Sequence, residues 1–192
     1  MCEIRWHGRG GQGAITSAQY MAHAAYLAGF KGVTSAPSFG AERRGAPVTA
    51  STRLSMEPLR TFSQVEHPDL VVVLDESLLE VGGATVGLKE GGWLIVNSLR
   101  DPETIAPGGH FSVATADASG AAEDAGLVVA GTLMVNTAML GAVAQATGLM
   151  SLEEVRTALH DKFPAATAER NYAAAVFTHH RTRVAACVPQ GV

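Results

Sequence analysis

The chain has 192 residues, of which 47% are hydrophobic and 17% charged, and this length and composition predict a single domain over residues 1–192 with a sizeable core. The formal net charge of −4 excludes general nucleic-acid binding, which needs a basic surface. The two cysteines, Cys2 and Cys187, exclude an iron–sulfur cluster held by this chain alone, because such a cluster typically needs four thiolates.

The first half of the chain alternates strand-like and helix-like segments. Apolar residues recur at three- and four-residue steps in residues 14–28, which predicts a helix. Residues 48–54 alternate apolar with polar side chains, which predicts a half-exposed strand, and residues 70–74 form an unbroken apolar run typical of a buried parallel strand. The predicted order is strand 3–7, glycine turn 8–13, helix 14–28, strand 32–36, strand 48–54 and strand 70–74.

The second half continues the alternation with a larger share of helix. Ser151 and Glu154 have the spacing of a capping box, which predicts that a helix begins there. The predicted order is helix 76–81, strand 93–97, strand 110–114, a mostly helical region 121–149, a helix from 152 and a helix 166–184. This alternation predicts an α/β fold with three layers: a mostly parallel, doubly wound sheet with helices on both faces and residues 48–54 as the antiparallel strand.

One stretch, residues 127–149, is almost uncharged and about long enough to span a bilayer. It contains Asn136, Gln145 and several glycines, and neither aromatic nor basic residues flank it. A buried helix is therefore predicted, with no membrane span. Since the first residues, MCEIR, do not form a secretory signal peptide, we expect a cytoplasmic location.

The glycine turn is the first candidate site, because it lies between a predicted strand and a predicted helix. Its first, third and sixth residues match G-x-G-x-x-G, in which backbone amides and a helix N-terminus can hold a phosphate. A dinucleotide site also needs an acidic residue about twenty positions later, and residues 31–36 contain none. Two interpretations stay open: a tight turn for close packing or a neighbouring subunit, and a site for a phosphate-bearing ligand other than NAD. The candidate residues are Gly8, Arg9, Gly10, Gly11, Gln12 and Gly13, with Gly10 expected to need a positive φ or a close backbone contact.

The second candidate site is the loop SFGAERRGAP at residues 38–47. Arg43 and Arg44 can bind a phosphate or a carboxylate through forked hydrogen bonds, and Glu42 can position one of the two guanidinium groups. With Phe39 and two glycines, the loop is predicted to be shaped for a subunit interface or a ligand. The alternative is a solvated charged turn.

Two further pairs of residues are weaker candidates. Asp75 and Glu76 follow the predicted strand 70–74 at its carboxyl end, where catalytic residues of α/β proteins often lie. They have no evident partner in the sequence, so helix capping is the favoured role. His179 and His180 are adjacent on a predicted helix and point about 100° apart, which favours an exposed pair over a metal site.

Four segments together give the chain a resemblance to a known family. They are GRGGQG at 8–13, SFGAERRGAP at 38–47, PDLVVVLD at 68–75 and NTAMLGA at 136–142. In this order they resemble the gamma subunit of 2-oxoacid:ferredoxin oxidoreductases, of the pyruvate/ketoisovalerate oxidoreductase gamma type. The resemblance extends over residues 8–180, and the two long loop motifs are its most specific part.

This resemblance implies a place in a hetero-oligomeric enzyme that decarboxylates a 2-oxo acid to acyl-CoA. Such enzymes use thiamine diphosphate with magnesium, [4Fe–4S] clusters and coenzyme A, and pass electrons to ferredoxin or another acceptor. The family's alpha, beta and delta-type subunits hold most of these groups, so the gamma subunit is expected to bind no cofactor alone, to have no catalytic or metal-binding residue, and to be a scaffold near the coenzyme A route. The alternatives are a stand-alone NADP-binding α/β oxidoreductase, with Arg43 or Arg44 on the 2′-phosphate, and a purely structural subunit.

Overall fold

The computed structural model describes residues 1–37, 44–61, 63–81, 83–106 and 109–187. The strands in this part of the chain are β1 (Cys2–Arg9), β2 (Gly32–Pro37), β3 (Pro47–Ser55), β4 (Leu70–Val73), β5 (Trp93–Asn97), β6 (Ser112–Ala116), β7 (Val128–Val129), β8 (Thr132–Leu133) and β9 (Arg183–Ala185). The helices are α1 (Ala14–Leu27), α2 (Leu78–Val81), α3 (Ala118–Asp124), α4 (Ala138–Thr147), α5 (Leu152–His160) and α6 (Ala165–Arg181), with one 3₁₀ turn at Pro102–Thr104.

The main sheet is mixed and has the strand order β2-β3-β1-β4-β5-β6-β9. Strands β1, β4, β5 and β6 pair in parallel in the centre. Strand β3 is antiparallel to β1, as predicted for residues 48–54, and β2 and β9 are antiparallel to their neighbours at the two edges. The α/β prediction is confirmed, and in the described part of the chain β9 is one antiparallel strand more than the sequence indicated.

The chain winds in opposite directions from β1, adding β2 and β3 on one side and β4 to β6 on the other. Crossovers in opposite directions lie on opposite faces of a sheet, so α1 and α2 cover different faces. Coverage is unequal, because α3 to α6 also pack into the larger core with α1, whereas the second core is closed by α2 and loops. Strand β4 supplies both cores: Leu70 and Val72 enter the larger one, and Val71 and Val73 the smaller. This explains its unbroken apolar run.

The region 121–149 differs from the prediction of a mostly helical segment. Helix α3 ends before Gly126, because the φ of +64° at Gly126 is incompatible with a right-handed helix. Ala130 and Gly131 then adopt positive φ angles of 49° and 77°, and they turn β7 into β8 as a short hairpin. In the described part of the chain, no helix is long and apolar enough to cross a membrane.

The predicted last helix is shorter than expected at its C-terminal end. Helix α6 ends at Arg181, and the next residues form β9, which pairs with β6 at the sheet edge. The capping box predicted at the start of α5 is confirmed, because Ser151 accepts a hydrogen bond from the backbone N–H of Glu153 (3.2 Å) and Glu154 accepts one from the backbone N–H of Ser151 (2.7 Å).

Helices α4 and α6 pack unusually closely. A Cβ atom on Gly141 would lie 1.8 Å from the carbonyl oxygen of Ala175, so only glycine allows this approach. The hydroxyl of Thr178 donates to the carbonyl of Ala138 at 2.5 Å across the same contact. This contact fixes α4, and therefore the loop before it, against the rest of the larger core.

Candidate functional site at the glycine turn

The glycine turn connects β1 to α1 at the carboxyl edge of the parallel strands. Gly11 and Gly13 have φ angles of +99° and +84°, which L-residues with a side chain rarely adopt. Gly10 was expected to need a positive φ or a close backbone contact, and it does not have a positive φ. Gly10 instead makes a parallel bridge to Arg44, and its N–H donates to the carbonyl of Ala46 at 2.8 Å.

Asp75 lies beside the turn and accepts hydrogen bonds from it. Its Oδ2 accepts from Arg9 Nε at 3.0 Å and from Gln12 Nε2 at 3.1 Å, and its Oδ1 accepts from the backbone N–H of Ser77 at 3.1 Å. The interpretation that Asp75 has no partner is therefore wrong. Parallel pairing places His7 opposite Val73, so Arg9 and Asp75 come together two residues beyond that pair.

These contacts keep Asp75 ionised. Burial alone would raise the pKa of its carboxyl, but hydrogen bonds from Ser77 and Gln12 and the charge of Arg9 outweigh it, and the pKa lies below its ordinary value. The guanidinium of Arg9 is also satisfied inside the protein, because Nη2 donates to Ser77 Oγ at 2.6 Å and Nη1 to the carbonyl of Gly45 at 3.1 Å. Gln12 Oε1 accepts from the backbone N–H of Arg9 at 2.8 Å. Both polar side chains of the turn therefore stabilise its shape.

The arginine loop reaches the same edge of the sheet, as far as the structure describes it. Phe39, Glu42 and Arg43 lie outside the described residues. Arg44 is exposed, and its Nη2 donates to the carbonyl of Ala130 at 2.8 Å and to Thr132 Oγ1 at 3.3 Å. The end of this loop thus connects the glycine turn to the β7–β8 hairpin.

Two neighbouring hollows lie beside the turn. The first, about 270 Å³, is formed by the glycine turn and the first residues of α1. The second, about 240 Å³, runs from α1 to the β7–β8 hairpin and α6, with Tyr20, Phe163 and Arg170 in its wall. Thr16 and Met134 line both hollows, so the two lie side by side. We call the combined space the α1 groove.

The N-terminus of α1 opens into this groove. Its N-cap residue is Gly13, and no side chain caps the helix. The first backbone N–H groups of an uncapped helix need an external acceptor, and the helix dipole favours an anion there. Helix α1 has 14 residues, so many peptide dipoles are aligned along its axis. The groove therefore offers hydrogen-bond donors to a negatively charged group.

Asn136 is a groove residue that sequence reasoning did not identify as part of a site. It is 3% exposed and lines the α1 groove. Within the described residues, its side-chain carboxamide has no hydrogen-bond partner, while its backbone carbonyl accepts from Ser17 Oγ at 3.4 Å. The carboxamide is not among the fully buried atoms without a partner, so it is open to the groove, where water or a ligand can pair with it. The signal was its position in the NTAMLGA segment, next to the uncharged stretch.

The remaining candidates form no second site. His179 and His180 stack edge to face with ring centroids 5.3 Å apart, and burial followed by the charge of His180 lowers the pKa of His179. Among the described residues, no group of three His, Cys, Asp or Glu side chains could hold a metal ion.

Fold and site define the chain as a doubly wound α/β protein that presents a glycine turn and an uncapped helix N-terminus at one edge of its sheet. The chain belongs to the family described as pyruvate ferredoxin/flavodoxin oxidoreductase, which matches residues 3–176.

Relatives in this family are similar over nearly the whole chain. The pyruvate/ketoisovalerate oxidoreductases common subunit gamma of Thermococcus kodakarensis is 47% identical over 190 residues, covering 96% of this chain and 98% of the relative. Pyruvate synthase subunit PorC of Methanothermobacter thermautotrophicus is 46% identical over 175 residues, covering 91% and 92%. The crystal structure of pyruvate oxidoreductase subunit PORC from Thermotoga maritima superposes with a TM-score of 0.81 at 35% identity, covering 96% and 98%. The resemblance to gamma subunits is confirmed.

Proposed function

We propose that this chain is the gamma subunit of a 2-oxoacid:ferredoxin oxidoreductase complex that oxidatively decarboxylates a 2-oxo acid to acyl-CoA. Membership of the family and the 47% identity to a common gamma subunit support this role. In the proposal the chain is one non-catalytic α/β domain, which scaffolds alpha, beta and delta-type subunits and helps to bind coenzyme A. Ferredoxin or another acceptor meets the complex through those partners.

Thiamine diphosphate with magnesium and the [4Fe–4S] clusters are proposed to lie on the other subunits. The chain has only two cysteines, whereas such a cluster typically takes four thiolates. The described residues also contain no metal-binding group of three His, Cys, Asp or Glu side chains. A [4Fe–4S] cluster with four cysteine ligands therefore does not fit this chain alone.

The α1 groove is the proposed coenzyme A site of this chain, and the observation that supports this part of the proposal is the carboxamide of Asn136, without a hydrogen bond among the described residues, beside the uncapped N-terminus of α1. The helix N-terminus suits a phosphate, and the carboxamide can hydrogen-bond to an amide of the ligand's arm. When bound, coenzyme A supplies the thiol that accepts the acyl group. The chain's own contribution is to bind and orient that ligand.

The non-catalytic role predicts that the purified chain has no turnover of its own. The assay combines the chain with thiamine diphosphate, magnesium, coenzyme A, a panel of 2-oxo acids and a dye acceptor. Turnover above background would contradict the subunit role. Tight binding of NADP by the isolated chain would favour the stand-alone oxidoreductase instead.

Coenzyme A binding is tested with Asn136→Asp in the assembled complex. The variant keeps the size of the side chain and adds a negative charge beside the helix N-terminus, so we expect the KM for coenzyme A to rise about tenfold or more, the equivalent of about 1.4 kcal/mol. The KM for the oxo acid should not change. Asn136→Ala is the companion variant, because it removes the carboxamide, and with it the proposed hydrogen bond to the ligand, without adding charge. If both variants assemble with an unchanged KM for coenzyme A, the chain is a scaffold only.

Arg44 separates the interface role from the coenzyme role. Arg44→Ala is expected to lower the yield of intact complex if the residue meets a carboxylate of another subunit, and to raise the KM for coenzyme A in intact complex if it meets a phosphate. Arg44→Lys keeps the charge and loses the forked geometry. Normal assembly and normal kinetics in both variants would make the loop a solvated turn.

A further inference from the structure

We propose that Asp75 is a positioning residue for the glycine turn: its carboxylate holds the turn in the shape that presents the N-terminus of α1 to a ligand. The inference rests on the proposed function of the α1 groove in coenzyme A binding. Asp75 does not line that groove itself, so it would act through Arg9 and Gln12.

The hydrogen bonds divide between the two oxygens of the carboxylate. Oδ2 accepts hydrogen bonds from the turn, from Arg9 Nε at 3.0 Å and from Gln12 Nε2 at 3.1 Å. Oδ1 accepts hydrogen bonds from the loop before α2, from the backbone N–H of Ser77 at 3.1 Å and from the Ser77 hydroxyl. The contacts of Asp75 with the loop before α2 therefore use only Oδ1. Contact with the turn is a second, separate role.

Asp75 also completes a ring of contacts that includes the arginine loop. The guanidinium that it orients donates through Nη1 to the carbonyl of Gly45 at 3.1 Å. The N–H of Gly45 donates to the carbonyl of Gly10 at 3.0 Å, which returns the ring to the turn. Loss of the contact between Arg9 and Asp75 would therefore loosen both the glycine turn and the end of the arginine loop at Gly45.

Asparagine cannot replace this carboxylate, although it has the same shape. Every group that faces Asp75 in these contacts donates a hydrogen bond, and asparagine offers one accepting oxygen and one donating NH₂. In either orientation of the amide, its NH₂ group faces hydrogen-bond donors, either those of the turn or those of Ser77, and cannot accept from them. Asp75→Asn should therefore free either the turn or the loop before α2, and it also removes the negative charge opposite Arg9.

The test is Asp75→Asn in the assembled complex, read by amide hydrogen exchange and by steady-state kinetics. The reporters are the amides of Gly10 and Gln12, which donate to the carbonyls of Ala46 (2.8 Å) and Arg9 (2.9 Å). We expect about tenfold faster exchange at these amides, a KM for coenzyme A about tenfold higher, and little change in kcat. Tenfold is the equivalent of about 1.4 kcal/mol.

The matched control is Glu76→Gln, the same type of change one residue later. Glu76 pairs with Arg100 at 2.9 Å on the surface, away from the turn, so exchange and kinetics should stay as in the parent complex. If Asp75→Asn leaves exchange in the turn unchanged, the positioning role is overturned whatever the kinetics. If exchange rises while the KM for coenzyme A is constant, positioning stands and the coenzyme A role of the groove is overturned.

Discussion

Gly13 is predicted to tolerate a side chain poorly, and Gly11 provides a matched comparison. Both have positive φ angles, +84° and +99°, so alanine at either position carries a backbone cost of about 1–2 kcal/mol. A Cβ atom at Gly13 would also lie 2.7 Å from Asn136 Nδ2, whereas at Gly11 the nearest atom is Thr132 Oγ1 at 4.0 Å. Overpacking adds about 1–3 kcal/mol. Gly13→Ala should therefore lower the free energy of unfolding by about 2–5 kcal/mol, and Gly11→Ala by about 1–2 kcal/mol.

The assay is urea unfolding of the purified chain, with Asn136→Ala introduced into each background. Removing the carboxamide should recover most of the extra cost of Gly13→Ala and leave the cost of Gly11→Ala unchanged, because only the first contact involves Asn136. Equal costs for the two glycine variants, or the same effect of Asn136→Ala in both backgrounds, would refute the packing argument.

Two further predictions concern the core. Gly141→Ala should lower the melting temperature, because its Cβ would lie 1.8 Å from the Ala175 carbonyl, and overpacking of that kind outweighs the gain in helix propensity of about 1 kcal/mol; an unchanged melting temperature would contradict the close packing of α4 and α6. Burial, followed by the charge of Arg5, lowers the pKa of His7 from 6.5 to about 4. The unfolded chain alone therefore binds this proton between those values, so stability should fall by up to about 3 kcal/mol as pH drops through that window. Unfolding measured across this range should show a flatter profile for His7→Gln, and an identical profile would contradict the assignment.

Much of the fold follows from local patterns in the sequence. The alternation in residues 48–54, the apolar run before Asp75 and the capping box at Ser151 each specify one element through side chains close in the chain, and each element is present. The hairpin β7–β8 was not predicted, because its turn places Ala130 at a φ of +49°. An alanine in the sequence does not indicate a positive φ.

The partners of the candidate site depend on contacts between distant residues. Arg9 and Asp75 are 66 positions apart, and only the register of β1 against β4 places them together, which composition and spacing do not encode. The same holds for Asn136, which reads as one polar residue in an uncharged stretch until α4 packs beside α1. Motif reasoning located the turn, and it could not identify the side chains that hold the turn or line its groove.

The contacts of the turn have a consequence for the order in which the protein can fold. Arg44 and its acceptor on Ala130 are 86 positions apart, and closing loops of this length is slow compared with forming a helix. During synthesis, the ribosome must translate beyond Thr132 before every group that Arg44 contacts exists. A chain truncated before Ala130 lacks the contacts of Arg44, and a chain with β1 and β4 out of register lacks the contact of Arg9 with Asp75. The finished turn is therefore a marker of a correctly folded chain at the moment when partner subunits would meet it.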